Sequence, residues 1–105
     1  MPGLDLNYFV RQASKMTEKI EQRKTELAEE TVEGKSGDNL IVVLASGTQE
    51  IKSIKISPEA MALNDTGMLE DLLVAAVNNA LNTSRTLMQT ELGKLTGGMK
   101  IPGLL

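Results

Sequence analysis

The feature that most constrains this chain is a run of six apolar residues, 40–45, between two turn sequences. Residues 36–39 precede the run and residues 46–49 follow it, and both are typical of short hairpin turns. The outer segments, 31–35 and 50–56, alternate polar and apolar residues as half-buried strands do. The pattern predicts a three-stranded antiparallel meander whose central strand is covered on both faces. One face would carry a helix layer, and a partner subunit is a candidate for the second layer.

A long helix is predicted before the meander, from about Asp5 to Glu30. Its apolar residues recur with the seven-residue period of one helix face. The members of this stripe are Leu6, Phe9, Ala13, Met16, Ile20 and Leu27, and Arg23 stands where the next apolar residue would be. The stripe predicts a helix that packs on the core, and a coiled-coil seam is the other interpretation.

A second long helix is predicted after the meander, over residues 67–96, following a short helical turn at residues 57–60. Nine of the thirteen residues in 69–81 are apolar, so this half of the helix should be buried. The pair Gly97 and Gly98 predicts the helix end and an irregular tail from about residue 97. The residues expected in the core and dimer contact are Ile41, Val43, Leu69, Leu72, Leu73 and Ala76.

The predicted helices are too long for a compact body. Thirty helical residues span ~45 Å, whereas a single domain of 105 residues, which we expect over 1–105, has a diameter of roughly 33 Å. Part of the helical structure must therefore project. We expect the amphipathic half of the second helix to overhang the sheet and to lie beside the start of the first helix.

Charge is distributed unevenly along the chain. The formal net charge of −3 argues weakly against a nucleic-acid partner. However, residues 6–20 and 82–105 each sum to +2, whereas residues 21–38 sum to −3 and residues 57–81 contain four acids and no base. The projecting part is therefore predicted to be basic and the body acidic.

Catalysis, cofactors and metals find little support in the composition. The chain contains no Cys and no His, which removes thiolate chemistry, the usual neutral-pH base and the commonest nitrogen ligand. Adjacent acids such as Glu70 and Asp71 point about 100° apart on a helix, which is poor geometry for acid–base catalysis. We expect no enzyme, no cofactor, no metal site and no small-molecule substrate. No apolar run approaches transmembrane length, so we expect a cytoplasmic protein without a membrane partner.

A basic row on the first helix is the strongest candidate for a binding surface. Arg11, Lys15, Lys19 and Arg23 step by four residues and so form one stripe. The alternative is an ordinary solvated face, but Arg11 and Lys19 have no acid three or four residues away. Clustered charge can outweigh an acidic total because phosphate contacts dominate non-specific DNA affinity. The predicted phosphate contacts are Arg11, Lys15, Lys19, Arg23, Arg85, Lys94 and Lys100.

Residues 68–80, MLEDLLVAAVNNA, resemble the signature of the YbaB/EbfC family of bacterial nucleoid-associated proteins. Residues 54–59, 97–104 and 12–16 are similar to that family as well, so the resemblance covers nearly the whole chain. It implies an α+β fold of order α-β-β-β-α and a homodimer with projecting helical arms. It also implies binding of double-stranded DNA with little or modest sequence preference, in the nucleoid, for chromosome organisation or gene regulation.

A protein-interaction or holdase-like module is the alternative function. Its arms would grip a protein partner between apolar faces. The contact residues would be Phe9, Met16, Leu87, Met88 and Leu92. Charge reversal at Lys15 and Lys19 should abolish DNA binding, whereas polar replacement at Met88 and Leu92 should abolish the alternative activity.

Overall fold

The computed structural model describes residues 5–97, and within them the chain forms a three-stranded sheet and three helices. The elements are α1 (Leu6–Glu29), β1 (Thr31–Ser36), β2 (Ile41–Ser46), β3 (Ile51–Ile56), α2 (Pro58–Ala62) and α3 (Thr66–Leu95). The predicted α+β class and α-β-β-β-α order are confirmed, with the short α2 at the predicted helical turn. The predicted irregular tail falls almost entirely on residues 98–105, which lie outside the described residues.

Each helix begins after a residue whose side chain accepts hydrogen bonds from the first turn. Asp5 precedes α1 and accepts from two backbone N–H groups at 3.0 and 3.2 Å. Ser57 precedes α2, and Asp65 precedes α3 and accepts from a backbone N–H at 3.0 Å. These caps satisfy donors that have no partner within a helix, which explains why the helices begin at these positions.

The sheet is an antiparallel meander of order β1-β2-β3. Both turns contain residues with positive φ, among them Asp38 and Asn39 before β2 and Gln49 after it. Asn and Asp tolerate this conformation better than other non-glycine residues, so the turn sequence favours this hairpin. Alternate residues of β2, including Ile41 and Val43, are fully buried.

Helix α3 crosses β1 and β2 at close range. Gly34 of β1 allows this approach, because a Cβ at that position would clash with the backbone of Ala76 and Ala80. The Ser36 hydroxyl donates to the carbonyl oxygen of Leu72 at 2.6 Å. Of the predicted core residues, Ile41, Val43 and Ala76 are fully buried, and Leu69, Leu72 and Leu73 pack against them partly buried.

Strand β3 is left largely uncovered by α3. Ile54 and Ile56 are paired with buried residues of β2 and therefore share the face on which α3 lies. They are nevertheless 45% and 38% exposed, and Val74 of α3 is 61% exposed. The sequence suggested a missing layer on the opposite face, but there Val42 lies between Lys35 and Lys55 on the neighbouring strands. The larger uncovered apolar surface is therefore beside α3.

The molecule is elongated, with extents of 74 × 20 × 16 Å. Arg23 of α1 lies opposite Glu91 of α3, with an ion-pair distance of 2.7 Å. Seventeen residues of α1 precede Arg23, but only four residues of α3 follow Glu91. Since the helices run antiparallel, the start of α1 extends ~20 Å beyond the end of α3. We call residues 6–18 the overhang.

The amphipathic half of α3 extends beyond the sheet, as predicted, and packs there with α1, where Leu92 is 2% and Ile20 3% exposed. The prediction that the end of α3 lies beside the start of α1 is wrong. The reason is that α3 packs on the sheet over more than half of its length, up to Ser84. The Ser84 hydroxyl donates to the carbonyl oxygen of Ser46 at 2.6 Å. Helix α1 leaves the sheet within a few residues of its C-terminal end and so extends further.

A tight junction holds α1 at the end of the sheet. The Gly47 N–H lies between two carbonyl oxygens, 2.9 Å from that of Leu27 and 3.1 Å from that of Glu30. A Cβ on Gly47 would lie 2.6 Å from the Leu27 oxygen, so this contact favours glycine. Ser84 also accepts from the backbone and side-chain N–H groups of Gln49, at 3.0 and 3.1 Å. The β2–β3 turn thereby links α1 to α3.

Candidate nucleic-acid interface

Three of the predicted DNA-binding residues lie on the overhang or directly after it. Arg11, Lys15 and Lys19 are exposed and step by four residues along α1. Among residues 5–97, none of the three has an ion-pair partner within 4 Å. Their charges therefore face solvent as a row ~12 Å long.

Arg23 has a different environment from the rest of the row. Its guanidinium lies 3.0 Å from Glu26, 3.2 Å from Glu30 and 2.7 Å from Glu91. The hydrogen bond that the Arg23 guanidinium donates to the Glu91 carboxylate is the main cause that raises the pKa of Arg23, and desolvation acts in the opposite direction. This side chain joins α1 to α3, and three carboxylates already neutralise its charge.

Lys94 belongs to the same ion network. Its ammonium lies 2.6 Å from the second carboxylate oxygen of Glu91. Hydrogen bonds from Lys94 and Arg23 lower the pKa of Glu91 and so favour the ionised carboxylate. The Lys94 side chain is 67% exposed, whereas that of Glu91 is 17% exposed. Lys94 is therefore accessible to a ligand, although one carboxylate competes for it.

Arg85 lies at the base of the arm, by which we mean the parts of α1 and α3 that project beyond the sheet. It is exposed, and its guanidinium donates to the amide oxygen of Asn82 at 2.7 Å. Because it directly follows Ser84 at the end of the sheet, it is far from Arg11, ~27 Å along the helix axis. The structure thus groups Arg11 with Lys15 and Lys19, and leaves Arg85 apart. Lys100 lies outside the described residues.

Two lysines outside the predicted set lie on one open face of the sheet. Lys35 of β1 and Lys55 of β3 are both exposed and both pair with Val42 of the central strand. They therefore lie on the sheet face opposite α3, with Glu33 3.4 Å from Lys35. The strict alternation of residues 53–56 was the signal that could have placed Lys55 on this face.

The apolar residues of the alternative function are unequally accessible. Phe9 is 50% exposed and Met16 is half-buried on α1. Leu87 and Met88 of α3 are half-buried, whereas Leu92 is 2% exposed and cannot contact a partner in this conformation. A gripping surface would therefore rest mainly on α1.

The described residues offer no group of acidic side chains for a metal. Within residues 5–97, no three His, Cys, Asp or Glu side chains come together in a way that could hold a metal ion. In the same range, every helix is too short or too polar to cross a membrane.

Comparison with known proteins gives a consistent assignment. Residues 1–99 match the model of the YbaB/EbfC DNA-binding family. A nucleoid-associated protein of Myxococcus xanthus (strain DK1622) is 64% identical over 104 residues, which cover 99% of each chain. A nucleoid-associated protein of Desulforamulus reducens (strain ATCC BAA-1160) is 46% identical over 104 residues, again 99% of each chain.

A solved structure supports the fold independently. The crystal structure of an uncharacterized protein from Helicobacter pylori superposes with a TM-score of 0.79, over 90% of this chain and 99% of that one. Sequence identity is only 17%. A likeness at this identity bears on the fold alone.

Proposed function

The chain belongs to the YbaB/EbfC DNA-binding family, and we propose that it is a nucleoid-associated protein that binds double-stranded DNA through its basic arm. The family description is of DNA binding and not of a catalysed reaction, in line with the expectation that the chain is not an enzyme. The single observation that carries the binding mode is the row of Arg11, Lys15 and Lys19, exposed and without ion-pair partners in residues 5–97. The proposed role is chromosome organisation or local gene regulation.

Binding in this mode is electrostatic. Residues four apart on a helix are ~6 Å apart along its axis, and one DNA strand rises 3.4 Å per phosphate, so successive cations can reach every second phosphate. Phosphate contacts fix position but carry no base information. We therefore propose little sequence preference, with Arg11, Lys15 and Lys19 as the main contacts. Lys94, Arg85 and Lys100 are additional contacts, and Arg23 acts through the alignment of α1 with α3.

The proposed binding unit is a homodimer with two arms. The support is the apolar surface beside α3, formed by Ile54, Ile56 and Val74, which are 45%, 38% and 61% exposed. Leu81, seven residues after Val74, lies on the same side of the helix and is half-buried. A second copy that covers this surface removes it from water and doubles the number of arm cations.

A DNA-binding titration at several salt concentrations tests the proposal. Six to eight phosphate contacts from two arms predict that log K falls against log salt with a slope of about −5 to −7. Lys15→Ala should flatten this slope by up to ~2, because symmetry removes the residue from both arms. The loss should be similar on unrelated duplex sequences.

Lys52→Ala and Lys55→Ala are the matched controls, since both lysines are exposed but lie on β3, away from the arm. Each should change the slope much less than Lys15→Ala. A slope that depends on the sheet lysines and not on the arm would refute the arm mechanism. A slope near zero in the wild type would refute DNA binding by phosphate contacts.

The holdase-like alternative keeps one observation in its favour, namely that Leu6, Phe9 and Val10 are 75%, 50% and 62% exposed. Reversing the charges of Lys15 and Lys19 separates the two functions, because it should abolish DNA binding and leave the apolar residues intact. Suppression of the aggregation of an unfolded test protein that survives this change would favour the alternative.

A further inference from the structure

One apolar face of α1 changes from buried to exposed along the helix. The residues spaced by seven on this face are Leu6, Ala13, Ile20 and Leu27. Ile20 and Leu27 are 3% and 0% exposed, whereas Leu6 is 75% exposed and Ala13 is exposed as well. Within residues 5–97, the same face therefore makes a buried contact at one end of the helix and meets solvent at the other.

The change occurs where α3 ends. Glu91 pairs with Arg23, and Leu95, the last residue of α3, follows four residues later. Since the two helices are antiparallel, α3 ends beside about residue 19 of α1. The overhang continues the same face beyond this point, and its apolar members lie at the spacing of a coiled-coil seam. We call these members the apolar stripe, namely Leu6, Phe9, Ala13 and Met16.

The residues that border the apolar stripe within the overhang are uncharged. Gln12 lies on one side of it, and Val10 and Thr17 lie on the other. The bases of the overhang are further round the helix, with Arg11 about 175° and Lys15 about 135° from the centre of the stripe. Two copies of the stripe can therefore face each other without bringing like charges together.

The spacing of the apolar stripe fits a second copy that runs in the opposite direction. A two-fold axis near the middle of the overhang places Leu6 of each copy against Met16 of the other. The same axis places Phe9 of each copy against Ala13 of the other, so the largest side chain of the stripe faces the smallest. The stripe is thus complementary to itself.

This arrangement also continues the packing that α3 begins. Helix α3 packs on α1 within the chain and runs antiparallel to it. A second overhang in the antiparallel register would follow the same direction on the same face, beyond the end of α3. The register also brings Asp5 of each copy beside Lys19 of the other, and an acid and a base at the border of a helix pair attract each other.

We propose that the overhangs of two copies of this chain pair antiparallel through the apolar stripe. The occupant is a second copy because the stripe is complementary to itself, its borders are uncharged and the pairing continues the contact between α1 and α3. Four side chains from each copy bury less than a standard interface of about 1,200–2,000 Å², so the contact is weak and forms at high local concentration. Arg11 and Lys15 stay on the outer side. The inference goes beyond DNA binding and does not depend on it.

Sedimentation in the absence of DNA measures the pairing. The average mass of the wild type should rise between about 20 µM and 1 mM, and the double variant Leu6→Gln, Phe9→Gln should lose this rise. The two side chains are 75% and 50% exposed, so the fold should tolerate the change. Tyr8→Gln is the matched control and should keep the rise, because Tyr8 is also 50% exposed but lies outside the stripe.

Cross-linking locates the contact. The chain has no cysteine, so a single one can be placed at the border of the stripe. Gln12 of one copy would lie beside Gln12 of the other, near the two-fold axis. A short bis-maleimide reagent should therefore join Gln12→Cys into products of two chains. Ser14→Cys, which is also exposed but lies on the side of the helix away from the stripe, should lose most of this product.

Three results would overturn the pairing. The first is a wild-type mass that stays constant up to about 1 mM, as it would if another part of the same chain covered the stripe. The second is a rise in mass that the variant Leu6→Gln, Phe9→Gln retains. The third is equal cross-linking of Gln12→Cys and Ser14→Cys. If DNA binding fails while the rise and its loss are observed, only the proposed function is wrong.

Discussion

The guanidinium of Arg23 lies 2.7 Å from a carboxylate oxygen of Glu91, although the two residues are 68 positions apart in the sequence. The same carboxylate group accepts from Lys94, and the same guanidinium lies near Glu26 and Glu30. Ion pairs that are linked in a network contribute more to stability than isolated surface pairs do. This network contributes to the offset between α1 and α3 and hence to the length of the overhang.

The Glu91 network should make stability depend on pH. The native pKa of the Glu91 carboxyl group is lowered, first by the hydrogen bond from Lys94 and next by that from Arg23. The unfolded chain therefore binds the proton more readily. The stability contributed by this carboxylate is present above the pKa of the unfolded chain, and it is lost as the pH falls through the lower native pKa. We expect Glu91→Gln to lower the urea midpoint at neutral pH, and this difference from wild type should shrink at pH ~3.

The control for that experiment is Glu18→Gln, because Glu18 is exposed and has no ion pair within residues 5–97. It should leave the urea midpoint nearly unchanged at neutral pH. An equal effect of Glu91→Gln at neutral and acid pH would show that the side chain acts by packing and not by its charge.

Gly34→Ala should destabilise the fold strongly. The added methyl would clash with the backbone of Ala76 and Ala80, so α3 would have to move off β1. Overpacking of this kind costs about 1–3 kcal/mol, and more where backbone atoms are in the way. The matched control is Gly93→Ala in α3, where a Cβ meets nothing within 4 Å. It should stabilise the helix by up to ~1 kcal/mol. Urea unfolding measures both, and equal midpoints would contradict the close contact.

Val74→Glu should dissociate the proposed dimer without unfolding the chain. Val74 is 61% exposed, so the charge is tolerated in one subunit, but it would be buried without a partner in the dimer. Sedimentation at micromolar concentration should change from dimer to monomer, with an unchanged circular dichroism spectrum. Ala75→Glu, on another side of α3 and also exposed, should remain dimeric. A wild-type monomer would rule out the dimer.

Most of the fold follows from local sequence chemistry. The apolar run 40–45, with Asp38 and Asn39 in a positive-φ turn before it, predicts the meander because the turn geometry sets the register of the strands. The cap at Asp65 likewise predicts the start of α3. These features depend on residues a few positions apart, and so they can be predicted from the sequence.

The arm is less predictable because distant contacts fix it. Leu6 and Ile20 occupy equivalent positions of one stripe, yet Leu6 is 75% exposed and Ile20 3%. Which of them is covered depends on where α1 leaves the sheet, and this is set by Gly47 and Ser84. No periodicity within α1 contains that information. The ion pair between Arg23 and Glu91 is missed for the same reason, since Glu91 lies on another helix.

The junction at Gly47 gives the arm the geometry of a lever. One residue, Glu30, separates α1 from β1, so the direction of the helix is decided within a few ångströms of its base. Leu27, at the base, and Leu6 are ~32 Å apart along the axis, and a rotation of ~10° about the base moves the tip by ~5–6 Å. A slight repacking around Gly47 would therefore alter the spacing between two arm tips by more than the length of a hydrogen bond, while the sheet stayed as it is.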